Sequence, residues 1–138
     1  MEIQKLFIDT NIVLDFLLAR NPFDISAKKI FELAAEGSAS LYISINSFTD
    51  IIYFVSKQYN VEDVRSQMYD LLDFVYIIDA GQKEAQKSLK MLEFFDIEDA
   101  FQVQCAIKEG VDYIITRDIK GFANSSIPAM IPEEYLNK

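Results

Sequence analysis

The sequence has 138 residues, of which 51% are hydrophobic and 13% aromatic, with 13 basic and 22 acidic side chains. This length and apolar content favour a single folded domain spanning residues 1–138 and exclude a disordered chain. The net charge of −9 argues against binding nucleic acid through a general positive field, so an anionic substrate would need local cations.

The cysteine and histidine content narrows the possible chemistry. Cys105 is the single cysteine, which excludes an internal disulfide and suits an inert, buried thiol in a reducing compartment. The absence of histidine removes the commonest general base, the usual catalytic triads and nearly all zinc sites. With no secretory leader and no apolar run of about twenty residues, we expect a cytoplasmic protein that makes no membrane contact.

Hydrophobic periodicity predicts strands that alternate with helices along the chain. Strands are predicted at residues 2–9, 41–43, 75–78, 113–116 and, at a sheet edge, 127–131. Helices are predicted at 12–18, from Asp24 or Ser26 to Gly37, from Ser44 or Ser47 to about Gln58, at 61–73, at 82–94, and from Asp96 to 109. Because the strands are continuous apolar runs, we expect an α/β fold with a mostly parallel sheet and helices on both faces.

The predicted helix at 82–94 has two distinct sides. One side carries Ala85, Leu89 and Leu92, and another carries Lys83, Lys87 and Lys90. A solvated helix face explains these lysines without a special role. The alternative is an edge that follows a phosphate backbone, and the sequence leaves both interpretations open.

Four aspartates occupy comparable positions in the predicted fold. Asp9 and Asp118 follow apolar strands, whereas Asp50 and Asp99 lie in the first turns of helices. Since the carboxyl ends of parallel strands meet at one edge of a sheet, where ligands bind, we expect these acids to lie together. Taken singly, each acid is equally compatible with a cap, a turn or a solvated face, and Asp96 is a candidate cap for the helix of Asp99.

A cluster of four carboxylates requires a cation, because the charges otherwise repel one another. Oxygen ligands without histidine or cysteine select Mg²⁺ or Mn²⁺ over zinc. Such ions neutralise the charge of an in-line phosphoryl displacement and activate water for it. The sequence therefore predicts metal-assisted phosphoryl chemistry, although the spacing of the acids does not name the substrate.

The order of these motifs resembles the PIN-domain family, the nuclease fold of VapC-type toxins. The likeness covers essentially the whole length and rests on Phe7–Asn11, Tyr42–Ser44, Asp96–Ala100, Ile114–Asp118 and Ile131–Leu136. The stretch Leu14–Phe23 is similar to that of a bacterial subgroup.

The resemblance implies a PIN-like sheet of five parallel strands in the order 3-2-1-4-5 and a metal-dependent endoribonuclease. By position, Asp9, Asp99 and Asp118 match family metal ligands, and Asn11 and Thr116 match polar residues that support the site. Members with a toxin role are neutralised by a small antitoxin and commonly dimerise. The partners implied are an RNA substrate, an antitoxin and a second copy of the chain.

Our leading hypothesis is an Mg²⁺- or Mn²⁺-dependent ribonuclease in which Asp50 completes the catalytic cluster of Asp9, Asp99 and Asp118. We expect Asp96 to support this cluster. Arg117 and Lys120, close to the last acid in the sequence, are predicted to contact substrate phosphates.

Two departures from the family pattern leave an alternative open. Asp50 stands where most members have glutamate, and Gly121 stands where many have an acid after the lysine. These differences suit a weakly active or inactive PIN-like module that acts by binding protein or RNA.

Two other classes that place acids at strand ends fit less well. A receiver-type signalling domain pairs acids after its first strand and has a lysine late in its sheet, but Thr10 follows the first acid and Arg117 follows Thr116. A hydrolase with an aspartate nucleophile would have a second aspartate at position 11, which is Asn11.

Overall fold

A five-stranded sheet forms the centre of the computed structural model, which describes residues 3–138. Its strands are β1 (Gln4–Ile8), β2 (Ala39–Ile43), β3 (Val75–Ile77), β4 (Tyr113–Ile115) and β5 (Ala129–Met130). All neighbouring strands are parallel, and their order is β3-β2-β1-β4-β5. The predicted fold class and strand order are thus confirmed, while the predicted start of the first strand at residue 2 lies outside the described residues.

Seven α-helices connect and cover the strands in the described part of the chain. They are α1 (Thr10–Leu17), α2 (Asp24–Ala35), α3 (Ile45–Ser56), α4 (Val61–Leu71), α5 (Gln82–Leu89), α6 (Ile97–Glu109) and α7 (Pro132–Leu136). A short 3₁₀ turn at Lys120–Phe122 follows β4, within the segment predicted to be a loop with one helical turn. Across residues 3–138, none of the helices has the length and apolar character needed to span a membrane.

The two helices that carry Asp50 and Asp99 begin at predicted caps. The Ser44 hydroxyl accepts the backbone N–H of Ser47 at 3.1 Å and starts α3. The Asp96 carboxylate accepts the backbone N–H of Glu98 at 2.8 Å and starts α6. These bonds satisfy helix-end donors that would otherwise lack partners, and they fix where each helix begins.

The start of α2 differs from the prediction that Asp24 or Ser26 caps it. Phe23 precedes the helix and makes no side-chain capping bond, because its backbone is already helical at φ −78° and ψ −17°. Asp24 is the first helical residue, and the Ser26 hydroxyl instead donates to Glu133 at 3.1 Å. The predicted terminator Gly37 does adopt the left-handed conformation, at φ 77°.

The α5 helix is shorter than predicted, and its apolar side faces solvent. It ends at Leu89, which is 63% exposed, and its buried side chains are Glu84 and Ser88. These polar groups can be buried because each has a partner: Glu84 accepts the backbone N–H of Gly81 at 2.8 Å, and Ser88 donates to the carbonyl of Ala85 at 2.7 Å.

The central strand β1 separates two hydrophobic clusters. Leu6 and Ile8 belong to the cluster formed with α1 to α4, whereas Phe7 packs with residues of α6 on the other face. This alternation follows from the two-residue period of a strand. Because β1 is the third of five strands in the sheet, Asp9 at its carboxyl end lies at the middle of the sheet edge.

Cys105 lies in α6 and is 1% exposed. Burial raises the pKa of its thiol to about 12, with a smaller contribution from the charge of Glu84. The thiol is therefore protonated at neutral pH, in keeping with the inert, buried cysteine that the sequence predicts.

Candidate active site

The four predicted aspartates surround one cleft of about 260 Å³ at the carboxyl edge of the sheet. Asp9 comes from the end of β1, Asp50 from α3, Asp99 from α6 and Asp118 from the turn after β4. The other lining residues are Thr10, Asn11, Phe54, Asp96, Glu98 and Gln102. The topology thus brings together acids that are up to 109 residues apart in the printed sequence, as expected from parallel strands.

The side chain of Asp9 is held by two donors. Its Oδ1 accepts the backbone N–H of Thr10 at 2.8 Å, and its Oδ2 accepts the hydroxyl of Thr116 at 2.7 Å. Thr116 is fully buried, and its Oγ1 also accepts the backbone N–H of Asp118 at 2.9 Å. One hydroxyl therefore contacts both the Asp9 carboxylate and the backbone of Asp118.

The acids are electrostatically coupled. Burial raises the pKa of Asp9, and the charge of Asp118 raises it further, against the opposing bonds from Thr116 and Thr10. Burial also raises the pKa of Asp99 to about 7, with further increases from the charges of Asp96, Asp9, Asp118 and Glu98. The cluster thus holds negative charge poorly without a cation.

Gly121 explains how Asp99 and Asp118 can lie close together. A Cβ atom at position 121 would lie 2.8 Å from the Asp99 Oδ2 atom and closer still to the Asp118 Oδ2 atom. The backbone N–H of Gly121 also donates to Asp118 Oδ1 at 3.1 Å. The absence of a side chain at position 121 therefore leaves room that both carboxylates use.

The sequence interpretation missed Glu98, which also lines the cleft. Although the residue as a whole is exposed, burial of its carboxyl group raises its pKa, and the charges of Asp50 and Asp96 raise it further. Its position within the acidic run Asp96–Asp99 was the available signal. From the sequence, Asp96 is predicted as a cap and Asp99 as a metal ligand, and no role is predicted for Glu98, because the direction of each carboxylate depends on the orientation of the helix.

A buried hydrogen-bond network connects the helices behind the acids, and the sequence interpretation missed its central residue, Gln102. The Gln102 Oε1 atom accepts the Ser44 hydroxyl at 2.5 Å, and its Nε2 atom donates to the Ser47 Oγ atom at 2.9 Å. The Ser47 hydroxyl lies 2.7 Å from that of Thr10. The signal was weak: Gln102 follows Asp99 by three residues and so shares its side of α6.

Arg117 forms an ion pair with a buried aspartate. Its Nε atom donates to Asp15 Oδ2 at 2.8 Å, its Nη2 atom donates to Oδ1 at 3.1 Å, and its guanidinium lies 3.9 Å from the centre of the Phe23 ring. Asp15 is fully buried. Two of its nitrogens are thus engaged by a buried carboxylate, while 31% of the side chain is exposed, and the contact of Arg117 with substrate phosphates stays a prediction.

Arg20 connects the buried Asp15 to Asn11. The Arg20 Nη1 atom donates to Asn11 Oδ1 at 3.2 Å and lies 3.8 Å from Asp15 Oδ1. Asn11 itself lines the acidic cleft, where it was expected to support the site.

Lys120 is exposed and lines a second cleft of about 350 Å³, adjacent to the first. Asp96, Asp99 and Asp118 line both clefts. The remaining lining residues of the second cleft are Glu93, Phe94, Phe95, Gly121 and Asn124. Lys120 therefore lies where it can reach an anion bound beside the acids.

The acids supply the oxygen ligands of a metal site, but their side chains do not converge on one point. Within residues 3–138, no three acidic or cysteine side chains converge closely enough to hold a cation as they are oriented. The ion pairs of that same range involve only Glu109 and Asp15 on the acidic side, so the four clustered aspartates lack a basic partner. Their oxygen donors fit Mg²⁺ or Mn²⁺, which would draw the carboxylates together.

Comparison with known proteins identifies relatives over nearly the full length. A family model described as PIN domain matches residues 5–120. The chain is 25% identical to Ribonuclease VapC1 of Aquifex aeolicus (strain VF5) over 142 residues, an alignment that covers 100% of this chain and 97% of the relative.

Two solved structures are similar in fold. VapBC2 from Rickettsia felis bound to a DNA fragment from its promoter matches with a TM-score of 0.72 and 22% identity, covering 93% of this chain and 98% of that one. A toxin-antitoxin complex from Klebsiella pneumoniae matches with a TM-score of 0.72 and 22% identity, covering 92% and 97%.

Proposed function

Because the chain belongs to the PIN domain family, we propose that it is a metal-dependent endoribonuclease that acts as the toxin of a toxin–antitoxin pair. The observation that carries this proposal is the meeting of Asp9, Asp50, Asp99 and Asp118 around one cleft. The names of the relatives support it, since one is a ribonuclease and another is a toxin-antitoxin complex. RNA and a small antitoxin are the corresponding partners, and a homodimer is compatible with both.

In this proposal, Asp9, Asp99 and Asp118 hold Mg²⁺ or Mn²⁺, and Asp50 completes the cluster. When bound, such a cation neutralises charge on the phosphodiester and activates water for an in-line displacement. The raised pKa values of Asp9 and Asp99 favour this assignment, because a cation stabilises the charged carboxylates against the burial and the repulsion that raise these values.

The remaining residues position these groups. Thr116 orients Asp9 and the backbone of Asp118, while Asp96 caps the helix that carries Asp99. Near neutral pH the Asp99 carboxyl carries a proton for part of the time, and that proton must leave before the group binds a cation. The Lys120 ammonium contacts a substrate phosphate next to the acids.

Cleavage of a structured RNA pool by the purified protein tests the proposal, with Mn²⁺, Mg²⁺ and EDTA compared. The informative variant is Asp9→Asn, prepared identically so that a contaminating ribonuclease would appear in both samples. Asp70→Asn is the matched control, because Asp70 is an exposed acid of α4 outside both clefts. We expect metal-dependent cleavage that Asp9→Asn loses and Asp70→Asn keeps; equal cleavage by all three proteins would exclude the assigned centre.

A binding module without catalysis is the second candidate. It is favoured by the side-chain arrangement, in which no three acids of residues 3–138 converge as oriented. Calorimetric titration with Mn²⁺ separates the two functions. Binding lost in Asp9→Asn supports the nuclease, whereas no binding near millimolar metal supports the module.

A further inference from the structure

Phe95 presents an unpacked aromatic ring beside the acids. It lies between α5 and α6 with its side chain fully exposed, at 107% of the reference area, whereas the preceding Phe94 is only 8% exposed and packs in the core. Phe95 also lines the cleft that Asp99 and Asp118 share with the acidic site. The ring is therefore available to contact a ligand in this cleft.

The cleft is bounded by two segments that are tied together. The amide of Asn124 donates to the carbonyl of Glu93 at 2.8 Å, which links the segment after β4 to the one between α5 and α6. This bond restrains the backbone two residues before Phe95. Such preorganisation lowers the entropy that binding must remove.

The charges of the cleft restrict what it can bind. Four of its lining residues are acidic, and Lys120 is its basic one. The net negative charge of the cleft therefore does not attract a polyanion. A polyanion that binds here must form one ion pair with Lys120 and gain the rest of its affinity from an uncharged contact. Stacking of a base on an aromatic ring is such a contact, and it tolerates any base because every base has a flat face.

We propose that Phe95 stacks against a nucleobase and Lys120 binds the neighbouring phosphate, so that this cleft holds one unpaired nucleotide beside the acids. The inference rests on the proposed ribonuclease function and adds to it a subsite that selects unpaired RNA. A base inside a duplex is already stacked on both faces, so it cannot also cover Phe95 without leaving the helix.

A protein surface is the competing occupant, because Leu89 and Leu92 are also exposed, at 63% and 89%. Those two residues do not line the cleft, whereas Phe95 lines it together with Lys120, Asp99 and Asp118. The ring therefore borders the space that leads to the acids, and this position favours a nucleotide.

The test is the fluorescence anisotropy of a labelled single-stranded RNA of about ten nucleotides, with Ca²⁺ in place of Mg²⁺, beside the same RNA as a duplex. Proteins to compare are the wild type, Phe95→Ala, Phe95→Trp, Lys120→Ala and Leu92→Ala. Leu92→Ala is the matched control, since it removes an exposed apolar side chain of the same segment outside the cleft.

We expect Phe95→Ala to weaken binding of the single strand about fivefold or more, Phe95→Trp to retain it and Leu92→Ala to leave it unchanged. Lys120→Ala should weaken binding and reduce its salt dependence. The duplex should bind more weakly to the wild type and respond little to Phe95→Ala. Equal single-strand binding by wild type and Phe95→Ala, or no binding by the wild type, would overturn the subsite.

The subsite at Phe95 and the proposed ribonuclease activity can fail independently of each other. Binding through Phe95 without metal-dependent cleavage would retain the subsite and exclude the ribonuclease. Normal cleavage with an unchanged KM in Phe95→Ala would retain the ribonuclease and exclude the subsite. If Phe95→Ala changes the oligomeric state in light scattering while RNA binding is unchanged, the ring belongs to a protein interface and the subsite is wrong.

Discussion

The hydroxyl of Thr116 donates to Asp9 Oδ2 at 2.7 Å, and these two residues are 107 positions apart in the chain. The same oxygen accepts the backbone N–H of Asp118 at 2.9 Å. A single buried side chain thus sets the orientation of Asp9 and the path of the backbone that presents Asp118. This relationship makes Thr116 the most direct way to disturb the site without removing an acid.

We expect Thr116→Val to lower kcat/KM for RNA cleavage about 10- to 100-fold, the usual effect of losing a residue that orients metal ligands. Valine keeps the shape of threonine but leaves the half-buried Asp9 oxygen without this donor, which also costs about 1–3 kcal/mol of stability. Thr116→Ser retains the hydroxyl and should retain most of the activity. Full activity in Thr116→Val would show that this bond does not control the site.

The pKa of Asp99, about 7 in the folded protein against 3.8 ordinarily, predicts how stability depends on pH. Between these values the folded state holds a proton that the unfolded chain releases, so the contribution of Asp99 to the free energy of unfolding falls as pH rises. Asp99→Asn removes this effect. In EDTA, we expect the variant to be more stable than the wild type by about 1 kcal/mol at pH 8, after allowance for solvent screening, and by much less at pH 5.

Differential scanning calorimetry at the two pH values measures this difference, with Asp70→Asn as the control for removal of an exposed acid. Saturating Mn²⁺ should reverse the order at pH 8, because the wild type binds the cation and the variant binds it weakly. An advantage of Asp99→Asn that is equal at pH 5 and pH 8 would contradict the raised pKa.

Gly121→Ala should weaken metal binding at the acids more than it lowers the stability of the fold. The added Cβ atom would lie 2.8 Å from Asp99 Oδ2 and closer to Asp118 Oδ2, so the two carboxylates must move apart. We expect at least tenfold weaker Mn²⁺ binding by calorimetry, the lower end of the range for disturbed metal ligands. Gly81→Ala is the matched control, since nothing lies within 4 Å of a Cβ atom at position 81. Equal Mn²⁺ affinities in both variants would show that the carboxylates adapt freely.

Substitutions of Arg117 and Lys120 should have different effects on stability and on RNA binding. Arg117→Ala leaves the fully buried Asp15 without its main partner, and we expect a loss of about 3 kcal/mol of stability in denaturant unfolding. Lys120 is exposed, so Lys120→Ala should change stability by less than about 0.5 kcal/mol while weakening RNA binding. Weaker RNA binding in Arg117→Ala with unchanged stability would support the phosphate contact predicted for Arg117.

The meeting of the acids was predictable from the sequence because it depends on topology alone. Asp9 follows a strand, and parallel strands bring their carboxyl ends to one edge whatever the details of packing. The partner of Arg117 was not predictable: Asp15 lies within the apolar run of α1, and nothing local indicates that a residue 102 positions later reaches it. The exposure of the apolar side of α5 was not predictable for a similar reason, since periodicity identifies a helix face but not what covers it.

The central place of β1 has a consequence for how the chain is made. Asp9 leaves the ribosome before Thr116 and Asp118, which belong to the segment that follows β4, the other neighbour of β1 in the sheet. Until β4 has emerged and paired, one side of β1 is open and the acids have not assembled. Whatever reaction these acids perform is therefore withheld until the segment after β4 has been made and β4 has paired with β1.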